Sequence, residues 1–150
     1  MIKLQDALAG IVRLGLDTDC IIYFVQANPA FKSVVSEVFH QISTDQFGGY
    51  TSSMSLIETL ILPLRMGDMT LRQSFRDLLL QGRNIHTIPV SITIAERAAE
   101  IRALYNLKAP DAVQAATALE MNCDAFLTNN GRDFRRIVEL NVLVLNELEL

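Results

Sequence analysis

The stretch RLGLDTDCIIYFV, Arg13–Val25, decides how this chain is read. An aliphatic run is broken by two acids, Asp17 and Asp19, and then resumes. A carboxylate inside an apolar core is costly unless it is paired, so the acids mark a boundary. GIVRLGLD reads as a strand ending at Asp17, with a helix starting behind it. The first acid then emerges at a sheet edge.

Outward from that point, short β-like runs alternate with longer helical ones. AFKSVVSEVFHQIS places Phe31, Val34, Val35, Val38, Phe39 and Ile42 at helical spacing. GGYTSS is a short strand, and Ser53 to Arg65 a helix in which Pro63 marks a kink or an approaching end. MTLRQSFRDLLLQ is helical, NIHTIPV a strand, and ITIAERAAEIRALYNL helical. PDAVQAATALEMN opens on Pro110 and Asp111, a good helix start. DAFLTNN is a strand, and NVLVLNEL is read as the final one. Such alternation predicts a single-domain, three-layer α/β/α fold around a mainly parallel sheet of about five strands. Sites in such sheets lie at the carboxyl ends of the strands.

The totals agree. All 150 residues read as one domain, with 50% hydrophobic and 20% charged residues. A net charge of −4 argues against a broad basic grip on nucleic acid, but leaves room for an acidic, cation-recruiting site. Cys20 and Cys123 stand far apart with no Cys/His cluster, so neither a zinc site nor a disulfide framework is expected. Lys3, Gln5 and Asp6 interrupt the start, and apolar runs of about six residues fall well short of the roughly 20 that span a membrane. A soluble, cytoplasmic protein follows as the expectation.

The edge rule makes the acids informative. Asp17 ends the first strand; Asn129, Asn130 and Asp133 follow the strand AFL; Asp111 opens a helix rich in small residues. Glu58 is the only charge between Met54 and Leu64. Each has a structural explanation: Ser55-x-x-Glu58 matches a capping box, Asp111 suits the helix dipole, and Asp17 could cap its helix. Together, clustered carboxylates repel unless a cation neutralises them, and oxygen ligands without His or Cys indicate Mg²⁺ or Mn²⁺. His40 and His86 are isolated and read as structural.

The blocks LDTDCIIYF, SSMSLIETL, APDAVQAATALEMNCDAFLTNNGRDF and VLVL resemble PIN-domain proteins of the VapC-like toxin type, from about Leu14 to Leu145. That resemblance implies a Mg²⁺- or Mn²⁺-dependent ribonuclease, the toxin of a type II toxin–antitoxin pair. It matches Asp17, Glu58 and Asp111 to three catalytic, metal-binding acids, with Asp133 as the fourth. Thr128 matches the threonine of the last motif, with Asn130 as a neutral ligand or substrate contact. Arg132, Arg135 and Arg136 crowd the same loop and could meet RNA phosphates, Arg132 foremost. Asp19 stands where the motif carries Asn, and with Thr18 it would support the site from behind. The resemblance also implies a homodimer and a small antitoxin covering the acidic groove. Residues 1–11 precede the usual family start as an extension without an assigned role. Two alternatives remain open: a catalytically silent PIN-like binding domain, and a haloacid-dehalogenase-like phosphatase built on the D-x-D of LDTD.

Overall fold

A computed structural model describes all 150 residues, Met1–Leu150. The chain opens with β1 (Ile2–Lys3) and the single turn α1 (Leu4–Ala7), then runs through β2 (Arg13–Leu16), α2 (Thr18–Val25) and α3 (Lys32–Ser43). β3 (Gly48–Ser52), α4 (Met54–Met66), α5 (Met69–Gln81), β4 (Ile85–Ile88) and α6 (Ile92–Tyr105) follow. The last part holds α7 (Ala109–Glu120), β5 (Ala125–Thr128), α8 (Gly131–Phe134), β6 (Val142–Val144) and β7 (Leu148–Glu149).

The main sheet has five strands in the order β4-β3-β2-β5-β6, and every pair is parallel. Strand alternation sends Leu14, Leu16, Ala125 and Leu127 to a core shared with α1, α2, α3 and α5. Phe126 faces the other way, into a second core with α6, α7 and α8. The α3 residues Val34, Val35, Val38, Phe39 and Ile42 are all buried, as their spacing predicts. The sequence thus specifies three layers with helices on both faces. No helix is long and apolar enough to cross a membrane.

One close approach positions the site. A Cβ on Gly15 would lie 2.9 Å from Phe126 Cδ1 and 3.1 Å from Ala118 Cβ. Ala112, Ala115, Ala116 and Ala118 form the buried face of α7. Small side chains on both elements therefore let α7 settle against β2, which brings the first turn of α7 to the sheet edge.

One expectation changes. NVLVLNEL is not one strand: β6 stops at Val144, and a 3₁₀ turn over Leu145–Glu147 leads to β7. Leu145 and Leu148 are both buried. Side chains three residues apart point to opposite faces of a strand, so burying both requires a helical turn between them. Pro63 does mark the approaching end of α4, which stops at Met66 with Gly67 left-handed at φ 68°.

β7 pairs in parallel with β1, matching Ile2 to Leu148 and Lys3 to Glu149. Leu4 and Leu8 are buried in the first core beside Leu145 and Leu148. Residues 1–11 are thus joined to the fold by burial more than by the exposed Lys3–Glu149 pair at 3.4 Å. Leu4→Ala should lower the unfolding free energy by about 2–4 kcal/mol, and Lys3→Ala by less than about 1 kcal/mol. Denaturant midpoints measure both. Equal losses would mean that the N-terminal turn lies outside the cooperative fold.

Candidate functional site

From β2 the chain moves to β3 and β4 on one side, and then returns to β5 on the other side of β2. The carboxyl ends of β2 and β5 therefore flank the point where strand order reverses, the favoured place for a site in an open parallel sheet. Asp17 stands there, its backbone N–H donating to the Leu127 carbonyl at 3.0 Å.

Asp17 is 7% exposed. Its Oδ1 accepts the Thr18 N–H at 2.8 Å, and its Oδ2 accepts the Thr128 hydroxyl at 2.7 Å. Burial raises its pKa to about 8, helped by the charges of Asp19 and Asp111 against those two hydrogen bonds. Asp19, two residues on, accepts the Asn129 N–H at 2.8 Å and a weak bond from the Cys20 thiol. Burial also raises Asp19. Asp19 thus ties the start of α2 to the loop after β5.

Asp111 is half-buried in the first turn of α7. Burial raises its pKa, as do the charges of Asp133, Glu58 and Asp19; Lys108 opposes them. The acids therefore share one electrostatic field. Glu58 is exposed at this edge, with Oε1 accepting the Thr18 hydroxyl at 2.8 Å. The capping-box reading of Ser55 and Glu58 does not hold, because α4 begins at Met54 and its N-cap Ser53 makes no side-chain bond.

Asn130 caps α8, accepting the Asp133 N–H at 3.3 Å and donating to Asp133 Oδ2 at 3.0 Å. Asp133 is also paired with Arg136 at 3.0 Å, and Arg135 with Glu147 at 2.8 Å. Of the three arginines, Arg132 is exposed and makes no ion pair. Thr128 was expected at the substrate, but it is fully buried. Its hydroxyl donates to Asp17 and accepts the Asn130 N–H at 2.9 Å, so it anchors a carboxylate instead. His86 stacks on Tyr50 with ring centroids 4.6 Å apart, and His40 lies exposed on α3, both away from the acids. Cys20 and Cys123 are free thiols.

No three His, Cys, Asp or Glu side chains close into a chelate. The donor set nevertheless suits a hard divalent cation. It is all oxygen, it carries several like charges, and a buried carboxylate at its centre meets only two hydrogen-bond donors. Asp17, Asp19, Glu58 and Asp111 could contribute oxygens; Asp133 is the most committed elsewhere.

Gln114 and Thr51, buried behind the acids, have no part in the sequence reading, and Ser55 enters it only as a capping residue. The available signal was a glutamine three residues after Asp111 in an otherwise small, apolar helix.

The raised Asp17 pKa has a pH consequence. Below about pH 4 folded and unfolded chains both hold its proton. Between about 4 and about 8 the unfolded chain ionises first, so the metal-free fold loses stability as pH rises through that window. Asp17→Asn should remove this loss, stabilising the chelator-treated protein at pH 8 by roughly 2–4 kcal/mol relative to pH 4. Denaturation at both pH values checks it; a mutant effect independent of pH refutes it.

A chain from the structure of VapBC2 of Rickettsia felis bound to a DNA fragment from their promoter shares this fold. Its TM-score is 0.70 at 20% identity, covering 89% of this chain and 98% of that one. A chain of FitAB bound to the IR36 DNA fragment gives 0.70 at 21% identity, over 93% and 99%. A chain of a toxin–antitoxin complex from Klebsiella pneumoniae gives 0.65 at 22%, over 89% and 97%. No curated protein matches significantly by sequence. The PIN-domain family model spans residues 15–140, from Gly15 beneath α7 to the loop before β6, and the chain belongs to the PIN-domain family.

Proposed function

We propose that this protein is a divalent-metal-dependent ribonuclease and the toxin of a toxin–antitoxin pair. The observation that carries the reading is the acidic edge: burial pushes Asp17, Asp19 and Asp111 toward protonation, neighbouring acids add to it at Asp17 and Asp111, and Lys108 is the one cation acting on Asp111. A site so charged repels a phosphodiester unless a cation stands between them. Asp17, Glu58 and Asp111 would hold Mg²⁺ or Mn²⁺, with Asp19 and Asp133 close by. Bound there, the ion supplies Lewis acidity toward a phosphodiester oxygen.

The chain's own residues set the remaining conditions. Thr128 and the Thr18 N–H fix both oxygens of Asp17. Asp19 holds the loop after β5, and with it Asn130 and the exposed Arg132, beside the acids. Arg132 is then placed to meet a phosphate. The toxin reading takes support from neighbours that are themselves VapBC and FitAB proteins. It also draws on the outer face of α4, where Ile57, Ile61 and Leu64 are 58%, 43% and 55% exposed. Apolar side chains in such a row suit a covering antitoxin segment or a second copy.

Purified protein should cut single-stranded RNA with Mg²⁺ or Mn²⁺ and fall silent with EDTA. Asp17→Asn and Asp111→Asn should each reduce the rate by at least about 100-fold, and Arg132→Ala by roughly tenfold. Wild type that cuts no RNA under either metal, or mutants that cut as fast, would defeat the proposal. A folded but inactive wild type would favour a silent binding domain, for which the exposed α4 row is the motivating feature.

A further inference from the structure

Behind the acids lies a buried polar hub. Gln114 of α7, Thr18 of α2, Ser55 of α4, and Thr51 and Ser52 of β3 are 2%, 5%, 0%, 1% and 0% exposed. They come from the elements that carry Asp111, Asp17 and Glu58, or from the strand between them. Apolar residues would fill such a space at lower cost, since every buried polar group must find a partner. Here the partners are found, and they impose a direction.

The two Gln114 Nε2 hydrogens go to the Thr18 hydroxyl at 3.0 Å and the Ser55 hydroxyl at 2.8 Å. Gln114 Oε1 faces the Ser52 N–H at 3.4 Å. A flipped amide would set donor against donor there, so the backbone of β3 fixes which end faces the hydroxyls. Thr51 donates its only hydroxyl proton to the Leu16 carbonyl at 2.9 Å. Ser55 can then donate to Thr51, 2.8 Å away. Thr18 accepts from Gln114 and also stands 2.9 Å from the Ser55 hydroxyl, but Glu58 Oε1, a carboxylate oxygen that can only accept, takes its proton at 2.8 Å.

We infer that Gln114 is a positioning residue that acts on Glu58 through the Thr18 hydroxyl. The amide polarises that hydroxyl and holds its proton toward the carboxylate, so that Glu58, otherwise exposed on α4, presents its second oxygen to the acidic edge in one orientation. Linked hydrogen bonds strengthen one another in a low-dielectric interior. This inference rests on the cation-binding reading above.

The test is Mn²⁺ binding to the full-length chain, followed by the EPR signal of the free ion, with no RNA present. Gln114→Leu should weaken binding about tenfold, the scale seen when a group supporting a metal ligand is lost. Glu58→Gln should weaken it at least as much, and the double mutant no further than Glu58→Gln alone. Thr18→Val removes the intermediate hydroxyl and should reproduce the loss and its non-additivity, which keeps the test decisive if Gln114→Leu fails to fold. Equal losses from Gln114→Leu and Thr18→Val in wild-type and Glu58→Gln backgrounds would show mere packing and overturn the inference alone. Wild type that binds no Mn²⁺ would overturn the cation-binding reading and this inference with it.

Discussion

The acidic edge depends on the close approach of α7 to β2. Gly15 has no side chain where Phe126 and Ala118 already stand, and the alanines of α7 complete the fit. Because α7 meets Gly15 through the short methyl of Ala118, the contact sets how closely the helix lies over the sheet. Asp111 then arrives beside Asp17 by construction, not through flexible side-chain reach. A larger residue at position 15 would shift a whole helix, and packed interiors do not absorb such shifts smoothly.

That geometry works against stability. It buries Asp17 and sets Asp19 and Asp111 near it, so each raises the free energy of ionising another. The hub around Gln114 adds five polar side chains to the interior, each with a partner but none contributing what a well-packed aliphatic would. Elsewhere the fold follows the ordinary rules: two apolar cores, an all-parallel sheet and helices capped by Asp68 and Ser91. Departures concentrated at one edge are the pattern expected where function opposes stability.

Much of this is written in the sequence. Leu14, Leu16 and the halt at Asp17 specify a strand and its end; the α3 spacing specifies a buried face; Pro110 and Asp111 open α7. What the sequence could not reveal was set by distant partners. Thr128 reads as a polar residue at a loop mouth, and only the register of β5 against β2 turns it inward to Asp17. Glu58 reads as a buried charge among aliphatics, yet those aliphatics are partly the exposed ones, Ile57 and Ile61. β1 and β7 are two residues each, too short for any periodicity, and they exist because the chain ends meet over Leu4 and Leu148.

The destabilising charge at the edge is also what would give the site its affinity. A ligand that binds only the folded state adds RT ln(1 + [L]/Kd) to stability, and for a cation that gain includes relief of the carboxylate repulsion already present. An anionic occupant adds to the repulsion around Asp17 and Asp111, and a neutral one offers only hydrogen bonds against their desolvation. A metal ion, or basic side chains of a covering partner, would relieve that repulsion. A net charge of −4 argues against a broad basic surface that would hold a polyanion from a distance. Contact with nucleic acid would be confined to this edge, where a cation and Arg132 can act at short range.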